Sequence, residues 1–134
     1  LTEAVTSRSG LPFQLFIEQI PPLPETVHIT FYRIAQEALN NAVKHAQANI
    51  VTVSLSVMPF TIDATGLSKH EVTLVIEDDG IGYLPGQGKA DHLGMGIMRE
   101  RAAAIQATLS LESQSGPGTQ VTLIWSNESG NHHE

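Results

Sequence analysis

The chain has 134 residues, 41% hydrophobic and 16% charged, with a net charge of −7 and no cysteine. That is enough for one domain with its own core, too few for two, and too apolar for a disordered segment. It has no apolar run of about eighteen residues to cross a membrane, and "LTEAVTSRSG" lacks the basic-then-apolar order of a secretory signal. Disulfides and thiolate metal sites are excluded. With seven Lys and Arg there is no basic stripe for nucleic acid, so an anion must be held by a few placed donors or a metal.

In chain order, "LPFQLFIEQI" alternates and predicts a strand near residues 12 to 18, ended by the breaker "PPLPE". Thr26 is placed to cap a helix running to about Ala46. "NIVTVSLSVM" has apolar β-branched residues at alternate positions and predicts a strand near 50 to 58. "PFTIDATGLSKHE" reads as a hairpin connection and "EVTLVIEDD" as the returning strand. A glycine-rich stretch, "DGIGYLPGQGKADHLGMG", is as long as loops with a function of their own. "IMRERAAAIQ" predicts a helix, "ATLSLESQSGPGTQVTLIW" a two-stranded hairpin, and "SNESGNHHE" a disordered tail over 127–134. This order argues for an α+β fold: a two-layer sandwich whose mixed, mostly antiparallel sheet is covered on one face by helices.

The first helix has an unusual face. At about 100° per residue, Phe31, Ala35, Ala38, Leu39, Ala42 and Ala46 form one packing stripe. Arg33, Glu37, Asn40, Asn41, Lys44 and His45 gather on the other side. A solvated face is the plain alternative. Surface helix positions, however, favour Glu, Lys, Gln and Arg, and asparagine costs helix propensity. Oxygen ligands beside cationic donors suit a magnesium–polyphosphate. The helix alone does not decide.

"EDDGIGY" places two acids at a strand end before Gly80 and Gly82, a pattern that ordinary tight turns share. "HLGMGIMRER" places Gly94 and Gly96 just before a helix, where backbone N–H groups can point at an anion. Two nucleotide motifs are absent. Gly82 to Gly88 is one residue too long for a P-loop, and Ala90 stands where its hydroxyl is needed. No GxGxxG follows a strand, because Arg99 occupies the third glycine position.

Together and in this order, the segments resemble the Bergerat-type ATP-binding domain of the GHKL superfamily. Within it they are most similar to the catalytic domain of two-component sensor histidine kinases of the NarX/DesK type. The resemblance covers roughly residues 10 to 126. "YRIAQEALNNAVKHA" matches the N-box, and "DDGIG", "GMGIMRERA" and "GPGT" match the three glycine boxes. It implies ATP and Mg²⁺ as cofactors, with Asn41 as the metal ligand and Asn40 lining the site or packing. Lys44 and His45 fall near the phosphates, with Lys44 the better donor because an ammonium stays charged at neutral pH. Asp78 matches the acid that accepts from the adenine amino group, with Thr119 acting beside it. The DxGxG register selects Asp78 over Asp79. Gly80 and Gly82 let the backbone pass close to the base, Gly94 and Gly96 form a flexible rim with phosphate contacts, and residues 83 to 93 form a short lid. Glu37 belongs to the catalytic site with Asn41 and Lys44, and its role as a base is left open.

The resemblance further implies transfer of the γ-phosphoryl group to a histidine on a separate dimerisation and phosphoacceptor domain, and a response regulator downstream. None of the six histidines sits in an acceptor-helix context, so the expectation is an excised monomeric fragment of a homodimeric, cytoplasmic or membrane-anchored parent. Residues 1–9 are then the end of a connecting helix. The rivals are an anti-sigma-type serine kinase, a degenerate nucleotide-binding module without transfer activity, and a non-nucleotide α+β interaction domain. Arg99 and Arg101 are readable as phosphate or partner contacts or as surface ion pairs, and Trp125 as core or edge packing.

Overall fold

Apolar residues at every second position build one curtain of side chains. The computed structural model describes residues 2–6, 12–45, 50–58, 61–62, 68–80, 89–113 and 118–127. Strands β1 (Thr2–Thr6), β2 (Pro12–Ile17), β3 (Val51–Val57), β6 (Glu71–Asp78), β7 (Thr108–Ser113) and β8 (Thr119–Ser126) form a six-stranded sheet in the order β1-β2-β3-β6-β8-β7. Only β2 and β3 run parallel; the other neighbours are antiparallel. The intervening β4 (Thr61–Ile62) and β5 (Ser68–Lys69) pair with each other as a small separate hairpin.

The register places Val53, Ile76 and Val121 side by side, then Leu55, Leu74 and Leu123, then Val57, Val72 and Trp125. These rows share one face because strand side chains alternate. Helices α1 (Glu25–His45) and α2 (Lys89–Ala104) cover it. Val27, Phe31, Ile34, Ala38 and Ala42 of α1 and Met98 and Ala102 of α2 are buried in the same core as the sheet residues. The opposite face, with Thr52, Ser54, Ser56, Thr73 and Thr122, is hydroxyl-rich and has no buried residue among these positions. The expected two-layer α+β sandwich with a mixed sheet is what forms. Trp125, 5% exposed, is a core residue.

Four expectations are corrected. Residues 2–6, expected as the end of a connecting helix, are a strand. "TEAVT" carries β-branched residues at Thr2, Val5 and Thr6 and pairs with the otherwise open edge of β2. Thr26 does not cap α1. His28 N–H donates to the Pro24 carbonyl (2.9 Å), which makes Pro24 the cap, and Thr26 lies in the first turn, accepting the Thr30 hydroxyl on its carbonyl (2.8 Å). The fixed φ of proline carries the chain directly into the helix. The buried arc of α1 is centred nearer Ile34 (0% exposed) than expected, because α1 packs on α2 as well as on β6. Finally, α2 begins at Lys89, so Gly94 and Gly96 lie inside it and residues 89–93 of the expected lid are helical. "KADHL" contains no breaker to delay its start.

Candidate functional site

At one end of the sheet the apolar rows give way to polar residues. Asp78 continues the inward series Val72, Leu74, Ile76 of β6, and Thr119 continues Trp125, Leu123, Val121 of β8; the two are register partners. Both are half-buried and face the helix layer, whereas the intervening Glu77 is exposed on the other side. Asp78 Oδ1 accepts the Gly80 N–H (2.8 Å). Burial raises the Asp78 carboxyl above its ordinary range, opposed by backbone hydrogen bonds from Gly80 and Thr119 and reinforced slightly by the neighbouring Asp79 charge.

Asp79, one residue on, has a structural task. Its Oδ1 accepts the Ile50 N–H (3.0 Å) and its own N–H approaches the Ile50 carbonyl (3.4 Å). Ile50 opens β3 only five residues after α1 ends at His45, a reach of at most about 18 Å. The C-terminal turns of α1, with Asn41, Lys44 and His45, therefore sit at the same end of the sheet as Asp78 and on the face toward which Asp78 points. Trp125 and the β4–β5 hairpin belong to the opposite end, since Val57 pairs with Val72 there.

Glu37 and Asn41 are both half-buried, one turn apart on the flank of the buried arc of α1. Glu37 lines a cleft of about 190 Å³ between the helices, with Arg33, Gln36 and Asn40 of α1 and Ile97, Met98 and Arg101 of α2. Asn41 is not among the residues that line this cleft. The side chains of Lys44 and His45, Gly82, residues 83–88 of the expected lid and residues 128–134 lie outside the described residues. Gly80 is buried and Gly96 exposed. Gly94 lies two residues before Gly96 in α2.

The sequence motifs pointed to Thr119 but left Gly118 without a task. Gly118 adopts φ +103°, and a Cβ there would collide with the main chain of Asp78. The Gly-Pro-Gly turn was the available signal, yet a turn does not reveal which strand its glycine must pass. Arg101 was placed on a helix without a neighbour; it lines the inter-helix cleft together with Glu37.

Among the described residues, no group of three or more His, Cys, Asp or Glu could hold a metal. A magnesium ion bound mainly by phosphate and water needs only one or two protein oxygens, and Asn41 offers one. The half-buried Asp78 carboxylate offers an acceptor at the floor of the same end of the fold. Both fit a magnesium–purine nucleotide in chemistry.

The comparisons bear on the family and the fold. Residues 26–129 match the family model described as histidine kinase-, DNA gyrase B- and HSP90-like ATPase, and the chain belongs to that family. It is 30% identical over 125 residues to the Escherichia coli nitrate/nitrite sensor protein NarX (92% of this chain, 19% of that protein). It is 38% identical over 102 residues to the Salmonella typhimurium signal transduction histidine-protein kinase/phosphatase UhpB (75% and 18%). With the Staphylococcus carnosus oxygen sensor histidine kinase NreB it shares 37% over 98 residues (72% and 25%). The chain thus spans a quarter or less of the length of these relatives. The blue-light activated histidine kinase of Erythrobacter litoralis shares the fold, with TM-score 0.62 and 24% identity over 84% of this chain and 34% of that one. The Acinetobacter baumannii histidine kinase AdeS also has TM-score 0.62, at 17% identity over 85% and 53%. Among the described residues no helix is long and apolar enough to cross a membrane.

Proposed function

We propose that this chain is the ATP-binding catalytic domain of a two-component sensor histidine kinase, acting from the cytoplasmic side of the cell. The single observation that carries the reading is the half-buried Asp78 carboxylate, aimed under the helix layer at the end of the sheet where the Asn41 end of α1 lies. An adenine amino group donates to such an acceptor, whereas guanine presents a carbonyl at that position and two acceptors repel. Gly80 and Thr119 hold the carboxylate in place through their backbone N–H groups.

Magnesium-bound ATP supplies the γ-phosphoryl group. The residues of the chain would bind and orient it: Asp78 and Thr119 the base, the Asn41 amide oxygen the metal, and Lys44 and His45 the phosphates. The Gly82 segment and the region of Gly94 and Gly96 would complete the rim. Glu37, one turn from Asn41, would orient a metal-bound water. Positioning and charge neutralisation dominate phosphoryl transfer in general, and this site is built from positioning groups. The acceptor is a histidine on the dimerisation and phosphoacceptor domain of the parent protein, a homodimer that passes the phosphoryl group to a response regulator.

Calorimetry tests the core of the reading. ADP and ATP should bind, with Mg²⁺ required for full affinity, and GTP should bind much more weakly. Equal binding of GTP, or no dependence on the base, removes Asp78 from its role and with it the kinase assignment.

A further inference from the structure

The ladder between β3 and β6 is closed by a side chain. Val51 and Asp78 are its last register partners, and one step further out stand Ile50 and Asp79. A hydrogen-bonded antiparallel pair normally exchanges two bonds between main chains. Here the Asp79 N–H donates to the Ile50 carbonyl (3.4 Å), and the Ile50 N–H donates to Asp79 Oδ1 (3.0 Å). Bonds to a carboxylate are shorter and stronger than bonds to a carbonyl, so the side chain makes the better of the two.

The two consecutive acids divide the work. Asp78 Oδ1 accepts the Gly80 N–H (2.8 Å) and turns the chain after the strand, while Asp79 reaches across to the neighbouring strand. Asp79 is exposed, and a hydrogen bond in contact with water adds little stability, because water competes for both partners. What it fixes is position. Ile50 is five residues beyond His45, the last residue of α1. The bond ties it to the end of the strand that carries Asp78, 29 residues away in sequence. The end of α1 and the Asp78 carboxylate are thus joined through one side chain.

We propose that Asp79 is a positioning residue for the nucleotide, holding the start of β3, and with it the end of α1, in place relative to Asp78. On the kinase reading, on which this assignment rests, the base lies at Asp78 and the metal-bound phosphates at the last turns of α1. One ligand then spans the two segments that Asp79 ties together. Such a ligand binds more tightly when both segments are held in place before it arrives. Adenosine, which reaches only the Asp78 segment, gains nothing from the tie.

The test separates the place of the acceptor from its charge. Asp79→Asn keeps the oxygen where it is and removes the charge. Asp79→Glu keeps the charge and carries the oxygen one methylene too far, and Asp79→Ala removes both. In calorimetry, affinity for magnesium–ATP should fall about tenfold in the Ala and Glu variants and stay within about twofold of the parent in the Asn variant. Adenosine, followed by amide shifts, should bind every variant within about twofold of the parent. The reverse order, with Glu tolerated and Asn impaired, makes charge the cause and overturns the proposal. Equal losses for adenosine and magnesium–ATP, or no loss for magnesium–ATP, leave Asp79 a residue of the fold alone and overturn it as well. A second readout needs no nucleotide. In the free chain the Ile50 amide should exchange with solvent about tenfold faster in the Ala and Glu variants than in the parent and the Asn variant, with amide shifts moving along residues 41–45. Unaltered exchange and shifts remove the tie. If the unmodified chain binds neither adenosine nor magnesium–ATP, the kinase reading falls, and the Ile50 exchange decides the tie by itself.

Discussion

The main-chain carbonyl of Asp78 occupies the space that a Cβ on Gly118 would need, and Gly118 holds φ at +103° beside it. The end of β6 and the start of β8 are thus fitted around the absence of a side chain, and the inward carboxylate of Asp78 depends on that fit. Gly118→Ala combines a disfavoured backbone angle with a collision against main chain, which cannot swing away. It should destabilise the fold by about 2 kcal/mol or more and weaken nucleotide binding, read from urea denaturation and calorimetry. A variant as stable as the parent shows that the backbone there yields, and that Gly118 does not define the position of Asp78.

Asp78→Asn separates function from stability. An asparagine keeps an oxygen to accept from Gly80 N–H but carries no charge to bury. Because burial raises the folded pKa of Asp78 above its ordinary value, the folded state binds more protons than the unfolded state between those two values. Stability of the parent chain therefore falls as pH rises through that window and stays lowered above it. The variant should be at least as stable at pH 7, with its advantage shrinking as pH falls through the carboxylate range. Nucleotide affinity should drop by about 1–3 kcal/mol, the scale for a hydrogen bond to a charged group. A variant that loses stability at pH 7 gives Asp78 a structural role in place of a binding one.

Gln106 ends α2 in a conformation that suits glycine. Its φ is 59°, its N–H donates to the Ala103 carbonyl (3.0 Å) and the Ala107 N–H to the Ala102 carbonyl (2.9 Å). That pair of bonds is a Schellman closure with Gln106 at the left-handed position. Gln106→Gly should raise stability by about 0.5–1 kcal/mol with no change in nucleotide binding. A loss of stability in thermal melts contradicts the cap.

The layered fold was legible because alternation and helical period are local signals. β3, β6 and β8 show apolar residues at every second position, and "FYRIAQEALNNAVKHA" shows a helical stripe. The four ordered motifs carried the family, which the comparisons bear out. What escaped is non-local. The strand at Thr2–Thr6 exists because β2 offers an edge, and the Gly118 requirement exists because β6 passes beneath it. The bond from Ile50 to Asp79 spans 29 residues. The start of α2 escaped for the opposite reason: two glycines suggested a loop, and the helix-compatible residues before them outweighed the local cost. The Arg33–Glu37–Arg101 cleft needs the packing of α1 on α2, which no single helix encodes.

Asn41 is half-buried on the flank of α1, and replacement by alanine removes its amide while improving helix propensity. Asn41→Ala should therefore leave stability unchanged or raise it by up to about 0.5 kcal/mol. On the proposed reading the gain in ATP affinity on adding Mg²⁺ should collapse, because the amide oxygen assigned to the metal is gone. Titrations of ATP with and without Mg²⁺ check this. An undiminished magnesium effect removes Asn41 from the metal.

Gly96 has an unused freedom. It lies inside α2, and a Cβ there would meet nothing within 4 Å. Gly96→Ala should stabilise the free chain by up to about 1 kcal/mol, the difference in helix propensity. If phosphates are held by backbone N–H groups around Gly94 and Gly96, those groups must leave the helix, and the first turns of α2 must open when nucleotide binds. Alanine then opposes that opening by the same free energy that it adds to the helix, and affinity should fall by up to about fivefold. The two effects should appear together, in thermal melts and in calorimetry of the same variant. Higher stability with unchanged affinity shows that α2 keeps its helix around the nucleotide, and that Gly96 makes no phosphate contact.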